Sequence, residues 1–186
     1  MLQSGGFCVL YTNRKHRQAA PKPKPMTSEE FNNEFLHLKD AAFRYAVALL
    51  HNYVAAEDAT QDLYEKLWRR RLLIRKNGFQ ALVMISMRNL CLDRLRHKPF
   101  TPLENITTHP TAPPESDRDM ADLVQRLIND LPDREREVIH LRDIEEFEYD
   151  QIATITGTSE AAARMACSRA RNRVKEQLVK IINHGL

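Results

Sequence analysis

The sequence predicts an all-α protein of two small helical domains joined by a flexible linker, and three observations carry that expectation. Apolar residues recur at helical rather than alternating spacing along most of the chain. Only five of the 186 residues are glycine, against 42% hydrophobic and 28% charged, which is the composition of soluble, mostly helical chains. Five of the nine prolines crowd into residues 99–117, "PFTPLENITTHPTAPPESD", a stretch with no amphipathic period that reads as a linker. A chain of this length suffices for one medium domain or two small ones.

Residues 1–25 end in "APKPKP", a Pro/Lys run without helical period, and read as a disordered tail. Directly after it, Thr27 or Ser28 can cap a helix that opens with Glu29 and Glu30. Met26 therefore reads as the native start, the alternative being an ordinary flexible arm. From Phe31 to about Leu50, Phe31, Phe35, Leu38, Ala42, Tyr45, Ala46 and Leu49 keep helical spacing. A second helix follows in "AAEDATQDLYEKLWRRR", where Ala56, Ala59, Thr60, Leu63, Tyr64, Leu67 and Trp68 share one face and the acids stay outside. A third, "FQALVMISMRNLCLDRLRHK", begins after Asn77-Gly78 and stops before Pro99. These three make a small bundle over residues 26–98. After the linker, 99–118, a second domain spans 119–186 and opens with a helix from Met120 to Leu131.

The rest of that domain has the layout of a helix-turn-helix. Ile152, Ala153 and Ile155 give a short apolar helix, and Gly157 can take the left-handed conformation that ends it. Thr158 or Ser159 can cap the next helix, with Glu160 at its positive end. There Ala163, Cys167, Ala170, Val174 and Leu178 repeat at core spacing. Arg164, Ser168, Arg171 and Lys175 lie on an adjacent face, with Arg169 and Arg173 further round. A helix so placed can enter a major groove, its first residues at base edges and its later cations at phosphates. The bland alternative is a cationic helix end complementing its own dipole.

Charge distribution says more than charge total. The formal balance is +3, but residues 1–25 hold five cations and no acid, leaving 23 cations against 25 acids from Met26 onward, a balance of −2. Within the first domain the signs segregate. Glu57 to Glu65 holds four acids and no cation, whereas Arg69 to Lys98 holds nine cations, among them Arg88, Arg94 and Arg96, against the single acid Asp93. Segregation of this kind suggests two different partners. The basic half suits phosphate, with Asn89 able to hydrogen-bond a base edge; the acidic half suits a basic protein surface. Phe79, Trp68 and Phe100 are the only aromatic candidates for base stacking here.

Several function classes find no support. No run of about 18 apolar residues crosses a membrane, and the N-terminus places its charges after its apolar patch, unlike a signal peptide. Cys8, Cys91 and Cys167 lie too far apart for a zinc site or a disulfide framework and read as free thiols of a reducing cytoplasm. No Gly-rich phosphate loop, nucleophile elbow or metal spacing points to an enzyme, and no cofactor is called for. The acids of "DIEEFEYD" read as a solvated turn.

With these motifs in hand, the chain resembles the extracytoplasmic-function sigma factors of bacterial RNA polymerase, over about residues 27–98 and 119–181. "AEDATQDLYEKLW" resembles the family's core-polymerase-binding helix, "MRNLCLDRLR" the segment that opens and reads the minus-ten element, and "LPDREREVIHLRDIEEFEYDQIATITGTSEAAARMACSRARNRV" the minus-thirty-five-binding domain. The resemblance implies a role in recruiting core polymerase to promoters and initiating transcription. Asp58, Gln61 and Asp62 match positions that grip the clamp helices of the polymerase's largest subunit. Arg88, Asn89, Arg94 and Arg96 fall in the minus-ten segment, Asn89 matching the asparagine beside the pocket for a flipped base. Tyr149, Asp150, Arg164, Ser168 and Arg169 match minus-thirty-five contacts, with Arg171 and Lys175 behind them at phosphates. An anti-sigma partner is also implied by the family, although no residue here demands one. The chain departs from the family's pattern at Leu82, at Ser86-Met87, at Ala161 to Ala163, and at Ala166, where a cation is frequent.

Rival readings explain less. A repressor with the same helix-turn-helix leaves the basic stretch and the acidic helix without purpose. A helical scaffold would not need two DNA-facing surfaces.

Overall fold

Seven α-helices, numbered in chain order, are present among the described residues, which run 25–97 and 117–184 in this computed structural model. The expected tail up to residue 24 and the linker residues 98–116 lie outside them, as do Cys8, Lys98 and Phe100. Helix α1, Ser28–Leu50, is opened by a reciprocal capping box: the Glu30 amide donates to Thr27 Oγ1 (3.1 Å) and the Thr27 amide to Glu30 Oε2 (2.8 Å). Helix α2, Tyr53–Arg69, starts at Asn52, whose Oδ1 accepts from the Ala55 amide at 2.8 Å. A 3₁₀ turn, Arg71–Leu73, and a turn through Gly78 at φ +85° lead into α3, Phe79–His97.

The core of this first bundle is aromatic. The Phe31 ring has Phe35, Tyr64, Trp68 and Phe79 around it at centroid distances of 6.0, 5.9, 5.5 and 5.4 Å. Three of those pairs are edge-on, the arrangement that ring quadrupoles favour. Two of the stacking candidates are therefore occupied: Phe79 is 2% exposed, and Trp68 is packed on Phe31 and covered by the Arg71 guanidinium. Removing Phe31 would cost about 3–5 kcal/mol.

In the second domain α4 is Asp117–Asn129, starting two residues before the expected boundary, and α5 is Asp133–Ile139, extended by a π-helical turn, His140–Ile144. Helices α6, Tyr149–Thr156, and α7, Glu160–His184, form the helix-turn-helix. Gly157 ends α6 at φ +70°, and Ser159 Oγ accepts from the Ala162 amide at 3.2 Å at the start of α7. Ala163, Ala166, Cys167 and Ala170 are the buried face of α7, with Val174 and Leu178 half-buried. Small side chains there let α7 lie close to α5 and α6. Ala166 is fully buried, so its departure from a cation alters packing rather than a surface interaction.

The two bundles are docked, and one apolar cluster runs through both, joining Tyr45, Met84 and Met87 of the first to Val138, Leu141, Phe147, Ile152 and Cys167 of the second. Arg136 on α5 rivets the junction. Its guanidinium is almost fully buried and donates to the carbonyls of Ala48 (3.1 Å), Asn129 (2.9 Å) and Leu131 (2.8 Å), the open C-terminal ends of α1 and α4, and also to Asp133. No helix among the described residues is long and apolar enough to cross a membrane.

Candidate nucleic-acid and partner interfaces

The exposed face of α7 carries the first surface. At about 100° per residue, Arg164, Ser168, Arg171 and Lys175 share one stripe, and all four are exposed. The ring of Tyr149, from α6, lies between two guanidinium groups: Arg164 at 4.4 Å and Arg142, from the π-helical turn, at 4.9 Å. Arg164 also bonds Glu160 one turn back (Nη2 to Oε1, 2.5 Å), and Arg142 meets Glu148 at 3.0 Å. Arg171 is held by both oxygens of Asp143 (3.0 and 2.5 Å), which keeps its guanidinium charged well above the ordinary arginine range. Asp150, at the first turn of α6, is exposed beside Tyr149.

Arg142 is a member of this surface that sequence reading did not single out. It sits in "HLRDIEEF", a stretch without helical period, because a π-helical turn breaks the spacing there. Arg169, by contrast, is not brought to the stripe. It lies about 140° round α7 from Arg164 and reaches inward to Glu135 of α5 at 3.3 Å, which Arg173 also meets at 2.9 Å. The acids of "DIEEFEYD" are exposed apart from Glu145, but three of them are ion-paired rather than simply solvated. Asp143 holds Arg171, Glu148 holds Arg142, and the Glu145 side chain is 3% exposed, bonded by Arg44 (2.8 and 2.7 Å) and 3.3 Å from His140. Burial works against ionisation of Glu145, but His140 and Arg44 hold its carboxyl below the usual range.

The second surface lies on α2 and α3. Asp58, Gln61 and Asp62 are all exposed on α2. The expected separation of acidic and basic faces is incomplete, because Arg94 of α3 bonds Asp62 at 2.5 Å and the Ala55 carbonyl at 2.7 Å, clamping α3 to α2. A groove of about 540 Å³ between these helices is lined by Asp58, Asp62, Leu90, Arg94 and Leu95 among others. Asn89 and Arg96 are exposed on α3, Arg96 being 3.4 Å from Asp93. Arg88 is turned toward the second domain and paired with buried Glu137, Nε to Oε1 at 2.7 Å. Of the four cationic or amide residues expected to face one DNA strand, Asn89 and Arg96 stand free of the rest of the fold, and Arg94 and Arg88 do not.

The buried thiols take no part. Cys91 and Cys167 are free, and burial pushes the Cys91 thiol up to about 12, which leaves it protonated. No cluster of metal-ligating side chains occurs among the described residues.

Comparison with known proteins matches both halves. Residues 35–99 match the family described as sigma-70 region 2, and residues 121–174 match sigma-70, region 4. The chain is 32% identical over 101 residues to the ECF RNA polymerase sigma factor SigM of Mycobacterium tuberculosis, covering 53% of this chain and 50% of that one. It is 26% identical over 151 residues to the ECF RNA polymerase sigma factor SigE of Mycolicibacterium smegmatis, covering 76% and 58%. The chain thus spans about half the length of the curated relatives it matches. Among solved structures, sigma factor RpoE of Bartonella quintana, crystallised with the anti-sigma factor NepR, superposes with a TM-score of 0.66 at 26% identity, covering 82% of this chain and 98% of that one. CnrH in complex with the cytosolic domain of CnrY shares the fold, with a TM-score of 0.62 at 18% identity over 83% and 90%. With two matched regions in this order, an acidic α2 ahead of a basic α3 and a cationic helix-turn-helix, the chain belongs to the extracytoplasmic-function group of the sigma-70 family.

Proposed function

We propose that the chain recruits core RNA polymerase to specific promoters and initiates transcription, reading the minus-thirty-five element with its second domain and opening the minus-ten element with its first. The observation that carries this reading is the α7 stripe of Arg164, Ser168, Arg171 and Lys175, flanked by the Arg142–Tyr149–Arg164 stack and exposed over its whole length. Such a stripe offers base-edge donors near the helix start and phosphate contacts behind them. Arg169 belongs to this set by resemblance, and its tether to Glu135 favours a contact at the flank of the stripe over a base edge.

On the first domain, Asn89 and Arg96 face the minus-ten strand, joined by Arg88 and Arg94 once their carboxylate partners release them. Asp58, Gln61 and Asp62 dock on the largest subunit's clamp helices. The protein works in the cytoplasm as a DNA-binding regulator, without cofactor or catalytic chemistry of its own. One structural neighbour, RpoE, was captured with the anti-sigma factor NepR, and a regulator of that kind is the expected third partner here.

The docking half of this reading is tested by Asp58→Lys with Gln61→Ala. Both residues are exposed, so helical content should hold while co-purification with core polymerase is lost. Retention at the wild-type level would remove α2 from the interface. Asp62 is the poorer choice, because changing it also frees Arg94.

A further inference from the structure

The direction that α7 presents to its surroundings is fixed by the face it buries. Ala163, Ala166, Cys167 and Ala170 are each 1% exposed or less. At about 100° per residue they centre about 110° from Arg164 on one side, so the outermost direction of the helix lies about 70° from Arg164 on the other. Ala161, at about 60°, and Met165, at about 100°, straddle that direction. Ser168 and Asn172, at about 40° and 80°, continue the same ridge along the helix. All four are exposed. Arg164, Arg171 and Lys175 stand on one shoulder of the ridge and Arg169 on the other. The cations flank the crest and do not form it.

At the start of the crest the chemistry is apolar. Met165 is the sixth residue of α7 and is 61% exposed. Ala161, four residues before it, is its neighbour on the helix surface, so a methyl and a thioether side chain make one continuous apolar spot. The other large apolar side chain exposed among the described residues of the second domain, Val179, lies about 21 Å further along the helix. Water offers an exposed thioether nothing, and folding does not use it. The charges on both shoulders fit a polyanion, whereas an apolar protein surface seated on Met165 would have to bury them.

A helix lying in a major groove turns its shoulders to the phosphates and its crest to the groove floor. Every base pair shows hydrogen-bonding atoms on that floor, and thymine alone adds a methyl group. A polar base edge pressed against Met165 would lose its water without gaining a partner. A thymine methyl there would be removed from water against carbon and sulfur.

We infer that Met165, seated beside Ala161, reads a thymine methyl in the minus-thirty-five element and is a specificity-determining residue of this chain. The inference rests on the reading of α7 as the helix that enters that element. It adds an apolar contact to the hydrogen bonds given to Arg164 and Ser168, at a position that a search for cations and amides passes over.

The test uses the full chain bound to core RNA polymerase. Selection from a pool of random duplexes supplies the minus-thirty-five sequence. Each thymine in that element is then replaced singly by deoxyuridine, which deletes the methyl and keeps every hydrogen bond, and affinities are compared by competition. At one position uracil should weaken binding by the wild type about fourfold, the worth of one buried methyl. Met165→Ala, with its helical circular dichroism unchanged, should bind the thymine and uracil duplexes equally at that position, and Met165→Leu should restore the preference. Lys175→Ala should weaken both duplexes and keep their ratio, because phosphate contact ignores the methyl. A selected element in which no uracil matters, or a uracil effect that survives undiminished in Met165→Ala, would overturn the inference. So would unchanged affinity of Met165→Ala for every duplex, which would leave the apolar crest to a protein partner. Any of these results, with a selected sequence and initiation intact, would leave the sigma-factor reading standing. Failure of the pool to converge on any sequence would overturn that reading and the inference together.

Discussion

Changing Arg164 to alanine separates sequence reading from every other role that this residue could have. Its guanidinium is 59% exposed and has two local partners, Glu160 one turn back and the face of Tyr149. The first is an exposed i,i+4 ion pair of about 0.3–0.5 kcal/mol. The second is an exposed cation–π interaction of about 0.5–1 kcal/mol. Folding should therefore lose no more than about 1.5 kcal/mol, visible as a small shift in a urea midpoint and too little to depopulate a folded domain. Removing a base-edge hydrogen bond at the minus-thirty-five element costs more, about 1–3 kcal/mol, or roughly five- to 150-fold in Kd at the cognate base. Fluorescence anisotropy on matched and single-mismatch duplexes at two salt concentrations reads the difference. Arg164→Ala should lose affinity on the matched duplex and little on the mismatch. Lys175→Ala, three turns on, should weaken both alike and lower the salt slope by about one phosphate's worth. Equal losses on both duplexes for Arg164→Ala would refute the reasoning, because a phosphate-binding or dipole-capping cation carries no base preference.

Other consequences follow from the packing. Arg136→Ala should destabilise the chain by about 2–5 kcal/mol in urea unfolding, since three carbonyls at helix ends lose their donor; a loss below about 1 kcal/mol would mean that water satisfies them. Leu63→Ala, fully buried beneath the exposed Asp62, should cost about 2–5 kcal/mol and unfold the first domain, unlike the surface changes at Asp58 and Gln61. The Glu145 carboxyl lies below its ordinary 4.5 in the folded chain, so its contribution is fully present above that value and is lost as pH falls through the depressed one. Wild type should accordingly lose stability more steeply than Glu145→Gln below about pH 4.5, and parallel curves would refute the assignment. The Cys91 thiol, held at about 12, should resist iodoacetamide at mildly alkaline pH until the chain is unfolded.

Elements whose signals are local were legible in the sequence. The Thr27 cap, the α1 period from Phe31, the stop of α6 at Gly157 and the small-residue face of α7 all follow from spacing and capping chemistry, and the structure places them so. What escaped reading depends on long-range pairing. Nothing near Glu137 announces that its carboxylate meets Tyr45, 92 positions away, or Arg88, 49 positions away. "DIEEFEYD" looks solvated because its partners Arg44, Arg171 and Arg142 come from other elements or across a π-helical turn that no periodicity marks. Arg169 and Arg164 look equivalent as cations in one run; only the position of α5 beside α7 draws Arg169 away to Glu135. Likewise Arg94 belongs to a basic stretch by sequence and to the α2–α3 clamp by its hydrogen bonds.

The most direct measurement is run-off transcription with purified core RNA polymerase on a library of genomic promoter fragments. The chain should confer initiation at a small, shared set of start sites with a common minus-thirty-five and minus-ten sequence, whereas core alone, or core with the Asp58→Lys, Gln61→Ala variant, should not initiate there. Specific binding of the chain to DNA without any initiation would contradict that expectation, and would identify the protein as a regulator that acts apart from core polymerase.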